Sequence, residues 1–183
     1  MSRRPLVLTG GPAVGKSSTA LGLAMLRARA AVIDVDDVRH LVVSGGVAPW
    51  KGDEGRRQVQ VSVKNACALA RNFGDAEIDV VITDVLTPAS ARLYRQLLPE
   101  CFVVRLVVAF VEAQRRAATR KVFLTAQEFE QLHRADRSAP PTSDHVLDVD
   151  HLSPSAQVRA VDDLWRSPAC QGELRPAVHC KSA

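Results

Sequence analysis

Aromatic residues are scarce in this chain of 183 residues, at 4 %, with one Tyr and two Trp. Proteins that grip single-stranded nucleic acid stack bases on aromatic platforms in a basic groove, so this composition disfavours that function. No block of Lys or Arg compensates. The net charge of +4 is mild and dispersed, which suits a binder of phosphates better than a nucleic-acid tract. Cysteines are few as well. Cys67, Cys101, Cys170 and Cys180 show neither C-x-x-C spacing nor a disulfide framework, so free thiols in a reducing cytoplasm are expected. The longest nearly apolar run, Leu106 to Val111, is far too short to span a bilayer. Ser2-Arg3-Arg4 leads straight into a short apolar stretch with no secretory signal, so a cytoplasmic location is expected. Repeats, low-complexity tracts and the N-K-x-D signature of GTP switches are all missing.

The hydrophobic content is 46 %, enough for one domain with a full core. A single domain over residues 1–166 is expected, followed by a loose C-terminal tail over 167–183. The most informative stretch is Gly10 to Ser17, GGPAVGKS, which matches G-x-x-x-x-G-K-[ST] in full. An apolar run, Pro5 to Thr9, precedes it and a helix-like segment, Lys16 to Arg29, follows. Strand, glycine loop and helix is the context this phosphate-binding motif requires. Its glycines let the backbone curl so that successive N–H groups face an anion, and the helix end adds positive field. Gly10, Gly11, Pro12, Ala13, Val14, Gly15, Lys16, Ser17 and Ser18 are therefore candidate nucleotide-binding residues. Lys16 would meet the β- and γ-phosphates of ATP, and Ser17 would ligate Mg²⁺.

Strand and helix patterns alternate along the rest of the chain. Strands are expected at Ala31–Asp34, Val80–Thr83, Phe102–Val108 and His145–Leu147. Helices are expected at about Glu54–Asn72, after a Thr87-Pro88 start, at Val111–Ala118, from a Thr125–Glu128 capping box to about Arg134, and from Ser153-Pro154 to Trp165. Alternation of this kind implies an α/β P-loop NTPase fold: a five-stranded parallel sheet with helices on both faces. Ligands in such sheets sit beyond the carboxyl ends of the strands, where the glycine loop, Asp36 and Asp84 all fall.

Asp84 ends an apolar strand, as a Walker-B-type carboxylate does, and would hold Mg²⁺ beside Ser17 and approach the substrate; the plainer role is to cap the following turn. Asp34, Asp36 and Asp37 crowd one strand end, and their repulsion favours proton uptake by one of them. Asp36 follows the strand and is placed to accept the proton of an attacking hydroxyl, with Asp37 as a helix-start charge and Asp34 turned away. Arg39, three residues on, shares a helix face with Asp36 and is a candidate substrate contact, the plainer role being a solvated helix arginine. Arg116 and Arg120 are spaced i, i+4, and two adjacent cations tolerate one another when an anion such as a transferring phosphoryl group lies between them. A lid role is expected for both, with the polar stretch over about residues 119–143 closing to exclude water; the plainer role is a solvated basic helix. Trp50 either lines the acceptor pocket or plugs the core. His40, His133, His145 and His151 show no metal-ligand spacing.

Three runs, Val7–Ser17, Val35-Asp36-Asp37 and Val80–Val85, together resemble the small P-loop kinases of the chloramphenicol phosphotransferase type. That resemblance implies an adenylate-kinase-like core that uses ATP to phosphorylate a hydroxyl of a small molecule, such as an antibiotic or other secondary metabolite. It implies Asp36 as the base and Arg116 with Arg120 in the lid. Asp36-Asp37-Val38-Arg39 is also similar to the D-D-x-R segment of polynucleotide 5′-hydroxyl kinases. Ser44 to Arg57 matches neither family, so the acceptor stays open between a small metabolite, a nucleotide and a nucleic-acid end. A nucleotide-binding regulatory ATPase is a further alternative, separated from the kinases by Asp36, since a switch needs no base for an alcohol.

Overall fold

The computed structural model describes residues 4–119 and 124–167. Elements alternate in chain order: β1 (Leu6–Thr9), α1 (Lys16–Met25), β2 (Ala30–Asp34), α2 (Val35–His40), α3 (Gly52–Asp75), β3 (Asp79–Thr83), α4 (Pro88–Leu97), β4 (Phe102–Val107), α5 (Phe110–Ala118), α6 (Ala126–Ser138), β5 (His145–Asp148) and α7 (Pro154–Arg166). The strands form one parallel sheet in the order β2-β3-β1-β4-β5. Leu6 stands beside Val81 on one side and Phe102 on the other, so β1 is central and every residue of it is buried. The five-stranded parallel sheet with helices on both faces is thus as the alternation predicts.

Side chains alternate across each strand, and that alternation sorts the core into two layers. Val7, Ile33, Val80, Ile82 and Val103 meet Val63, Ala66, Tyr94 and Leu98 from α3 and α4. Leu6, Leu8, Val81, Val104 and Leu106 meet Leu23, Val161 and Trp165 from α1 and α7. A smaller cluster joins Ala13 of the glycine loop to Ala113 of α5 and Phe129 of α6.

Local signals set most helix starts. Thr87 and Ser90 form a capping box at α4, with Pro88 in the first turn; Thr125 and Glu128 form another at α6. Ser153 caps α7 by accepting from the Ala156 N–H. Two helices depart from their expected bounds. α1 ends at Met25 rather than Arg29, and by Arg29 the chain already joins the sheet edge, its carbonyl accepting from the Asp79 N–H at 3.1 Å. α3 starts earlier and runs longer, from Gly52 to Asp75. Asp53 and Glu54 favour its positive end, and Gln58 ties the preceding loop to it through the Val47 N–H (3.0 Å) and the Gly45 carbonyl (2.9 Å). Cys67 and Cys101 are free and buried, their thiols pushed up to about 12 and about 11 by burial; Cys170 and Cys180 lie outside the described residues, as does the expected tail beyond Ser167. No helix among the described residues is long and apolar enough to cross a membrane.

Trp165 anchors α7 in the core. It is fully buried, donates Nε1–H to the Arg4 carbonyl at 2.8 Å, and carries the Arg27 guanidinium 4.7 Å from its ring centroid. Trp165→Ala is expected to lower unfolding free energy by about 3–5 kcal/mol, the usual cost of deleting a buried aromatic. Urea unfolding measures it, and a loss well below 1 kcal/mol would mean that α7 is not integral to the core.

Candidate functional site

The glycine loop bridges β1 and α1 at the carboxyl edge of the sheet. Gly10 has φ 132°, and a Cβ there would stand 2.2 Å from the Leu106 carbonyl oxygen of β4, so only glycine permits this approach. Ala13 holds φ 60°, a left-handed conformation costly for a residue with a Cβ. Two buried side chains that the sequence did not single out hold the strained loop. His133 of α6 meets the Pro12 carbonyl through Nε2 at 2.8 Å; because a carbonyl only accepts, the ring carries its proton on Nε2. Burial keeps this histidine below its usual range, hence neutral. Gln157 of α7 donates to the Val14 carbonyl at 3.0 Å and to Thr19 Oγ1 at 2.9 Å.

Lys16 folds its ammonium onto the loop, donating to the Gly10 carbonyl at 2.8 Å and the Gly11 carbonyl at 2.9 Å. An ammonium has three donors, so one N–H remains beyond these two bonds. Burial lowers the Lys16 pKa to about 8, against the raising influence of Asp36, Asp84, Asp136 and Asp34. Ser17 donates Oγ–H to Asp34 Oδ2 at 3.2 Å. Asp34 is therefore turned towards the loop and not away from it, as the sequence reading had it. The reason is local: α2 begins at once after β2, and Asp34 caps it by accepting from the Asp36 N–H with Oδ1 at 3.0 Å, which leaves Oδ2 facing Ser17.

Asp84 is buried at the end of β3, accepting from the Val85 N–H at 2.8 Å and the Tyr94 hydroxyl at 3.2 Å. Burial pushes its pKa up to about 6, eased by Arg39 and raised further by Asp36. Asp36, in the first turn of α2, is 65 % exposed at its side chain, and Arg39 Nη1 grips its Oδ1 at 2.6 Å. Among the described residues its Oδ2 has no partner.

Lys16, Ser17, Asp34, Asp36, Arg39 and Asp84 line one cleft of about 1890 Å³. This exceeds the roughly 300–1,000 Å³ typical of a pocket for one small ligand, which gives room for two substrates. Trp50 lines the same cleft, 45 % exposed, so it is not a core plug. A second pocket of about 520 Å³ lies on the other side of the glycine loop, bordered by Gly15, Ser18, Thr119 and Ser153. Arg116 lines this pocket and not the cleft. Its Nε donates to Glu112 at 2.7 Å and its Nη2 to the Val149 carbonyl at 2.8 Å. The anion between neighbouring arginines is thus Glu112, shared by Arg115 and Arg116 and held down at about 2 by those hydrogen bonds. Arg120 lies outside the described residues. Much of the stretch expected as a lid, 119–143, is α6, whose Phe129, His133 and Asp136 are buried. The bidentate Arg105–Asp136 pair, at 3.1 and 2.8 Å, fastens that helix to β4.

Mg²⁺ fits this donor set. It takes hard oxygen ligands, commonly one or two carboxylates completed by water and phosphate oxygens rather than a dedicated cage. Ser17 and Asp34 supply a hydroxyl and a carboxylate side by side, with Asp84 on the neighbouring strand. Among the described residues no cluster of three or more acidic, His or Cys groups forms a closed metal cage.

The buried Asp84 makes stability depend on pH in a defined direction. Its folded pKa stands above the ordinary 3.8, so the native state binds the extra proton and loses that stabilisation as pH rises from 3.8 through about 6. Asp84→Asn is expected to be more stable than wild type at pH 7.5, with the gap closing as pH falls below about 4. Urea unfolding of both proteins across that range measures the difference; a gap that widens on acidification would contradict the assignment.

No known family model matches the sequence, and no curated protein matches it. Solved structures do share its fold. A sugar kinase from Janibacter sp. HTCC2649 aligns over 93 % of this chain and 99 % of its own, with TM-score 0.70 and 20 % identity. The Mycobacterium tuberculosis APS kinase, solved with AMPPNP and APS, covers 91 % of this chain and 100 % of its own, with TM-score 0.63 and 21 % identity. Shikimate kinase from Bacteroides thetaiotaomicron covers 89 % and 98 %, with TM-score 0.64 and 15 % identity. The architecture on which the glycine loop, Asp34, Asp36 and Asp84 are mounted is that of the small P-loop kinases.

Proposed function

We propose that the protein is an ATP-dependent kinase that transfers the γ-phosphoryl group to a hydroxyl of a small molecule, of which antibiotics and other secondary metabolites are examples. One observation carries this reading: the glycine-loop lysine and an exposed carboxylate with an unengaged oxygen, Asp36 Oδ2, line the same cleft. A regulatory ATPase needs the first feature only. The kinases that share the fold act on sugar, APS and shikimate by their names, which supports a small hydroxylated acceptor. A cytoplasmic site of action, where ATP is supplied, belongs to this reading.

The residues divide the work as follows. Loop N–H groups and the free N–H of Lys16 receive the phosphate oxygens. Ser17, Asp34 and Asp84 would hold Mg²⁺, which when bound neutralises charge building on the phosphates. Arg39 fixes Asp36 Oδ1 so that Oδ2 faces the acceptor. As the acceptor oxygen bonds to the γ-phosphorus, the bond from phosphorus to the β–γ bridging oxygen breaks, ADP leaves, and the hydroxyl proton passes to Asp36 Oδ2. Arg116, on α5 and hydrogen-bonded to the Val149 carbonyl of the β5–α7 loop, is assigned to the nucleotide rather than to the acceptor. Arg120 is retained as a lid donor to the transferring group.

A screen of hydroxylated metabolites and 5′-hydroxyl oligonucleotides with labelled ATP identifies the acceptor. Asp36→Asn should then bind ATP with near-normal affinity by calorimetry and transfer phosphate roughly 10²- to 10⁴-fold more slowly in single turnover, the usual worth of a positioned base. Lys16→Ala should abolish transfer with the fold intact. Normal transfer by Asp36→Asn would remove it as the base. Arg116→Ala should raise KM for ATP more than it lowers kcat; the reverse split would move Arg116 to the transferring phosphoryl group.

A further inference from the structure

The lining of the cleft is unevenly charged, with Lys16 and Arg39 standing among its acids. Its carboxylates, Asp34, Asp36, Asp37, Asp84, Glu128 and Asp136, gather around the glycine loop and α6. The other arm is built from residues 42–64 and 85–96, where the lining side chains include no carboxylate and three cations, Arg56, Lys64 and Arg92. Several exposed arginines are partnered within their own helices: Arg57 by Glu54, Arg115 by Glu112, Arg134 by Glu130. Arg56 follows the same pattern with Asp53. Lys64 and Arg92 do not. Helix neighbours that would neutralise them stand three or four residues away, and those positions are Gln60, Val61, Cys67 and Ala68 for Lys64, and Pro88, Ala89, Arg95 and Gln96 for Arg92. No carboxylate reaches either side chain among the described residues.

Apolar surface accompanies these cations in the same arm. Val59 and Leu93 are half-buried, Trp50 is 45 % exposed and Val43 94 % exposed. Arg39 Nε adds a buried N–H without a hydrogen-bond partner in the same cleft. Two cations that line one cleft without an acid partner suit an anionic ligand there, and a charge-assisted hydrogen bond is the strong kind.

We infer that the acceptor is an amphipathic anion: a hydroxylated molecule with an apolar body and one carboxylate or phosphate group. Arg92 and Lys64 hold the anion, Trp50, Val59 and Leu93 cover the body, and the hydroxyl lies at Asp36. An uncharged acceptor would leave both cations unmatched. The inference rests on the kinase reading, so binding is measured apart from transfer and the two fail separately.

The test uses a matched set of probes: 4-(hydroxymethyl)benzoate, 4-(hydroxymethyl)phenyl phosphate, the neutral methyl ester of the benzoate, and 4-(hydroxymethyl)benzylamine. Binding is read from Trp50 fluorescence with Trp50→Phe as the blank, in wild type and in the Arg92→Gln/Lys64→Gln double variant. At least one anion should bind roughly ten- to hundredfold more tightly than the ester, the scale of one charged hydrogen bond. That margin should shrink with added salt and vanish in the double variant, while ATP affinity is unchanged. Comparison of the carboxylate and phosphate probes decides which anion is preferred. The inference is overturned if the ester or the amine binds as tightly as the anions, if no probe binds, or if the double variant keeps the margin. Tighter binding of a 5′-hydroxyl oligonucleotide than of either anionic probe would overturn it in favour of a nucleic-acid end. Selective anion binding without any transfer of labelled phosphate would keep the anion site and overturn the kinase reading.

Discussion

The backbone of the glycine loop is bent into a conformation that only its surroundings can hold. Gly10 sits over the Leu106 carbonyl, Ala13 is left-handed, and Lys16 is folded onto the carbonyls of Gly10 and Gly11. Backbone strain of this kind costs on the order of 1–3 kcal/mol per residue and persists when neighbours over-determine it. The neighbours here are β4 beneath the loop, His133 on one side and Gln157 on the other. Three elements far apart in the chain therefore converge on eight residues, and the order β2-β3-β1-β4-β5 is what brings them there.

That convergence also explains the electrostatics of the site. Burying Lys16 lowers its proton affinity, and burying Asp84 raises its own. Each is partly offset by charges of the opposite sign, the aspartates around Lys16 and Arg39 near Asp84. Asp36 escapes burial because it stands on the first turn of α2, beyond the strand end, with Arg39 one turn later to orient it. In the proposed kinase the buried cation serves phosphate and the accessible carboxylate serves a hydroxyl, and the strand edge separates them without an intervening domain.

Prediction from local pattern succeeded where the determinants were local. The capping boxes at Thr87 and Thr125, the cap at Ser153 and the apolar strands are written in neighbouring residues. It went astray where a distant residue decided. Asp34 was expected to turn away from the site, yet capping α2 turns its second oxygen to Ser17, seventeen positions earlier. A local contact also went unread: Glu112, one turn earlier on the same helix, engages Arg116, while Arg120 lies outside the described residues. His133 carried no spacing signal, since its partner Pro12 lies 121 residues away.

The sequence by itself determined the glycine loop, the parallel sheet and the candidacy of Lys16, Ser17, Asp36 and Asp84. Each follows from a contiguous pattern: a loop motif in a strand-helix frame, an apolar run, a carboxylate at its end. Tertiary structure alone decided that Asp34 joins Ser17, that Trp50 lines the cleft, that Arg116 stands apart from it, and that Lys64 and Arg92 lie in the same arm without acids. These depend on which helix faces meet across the sheet, and such meetings are set by packing between residues distant in sequence, which no local pattern encodes.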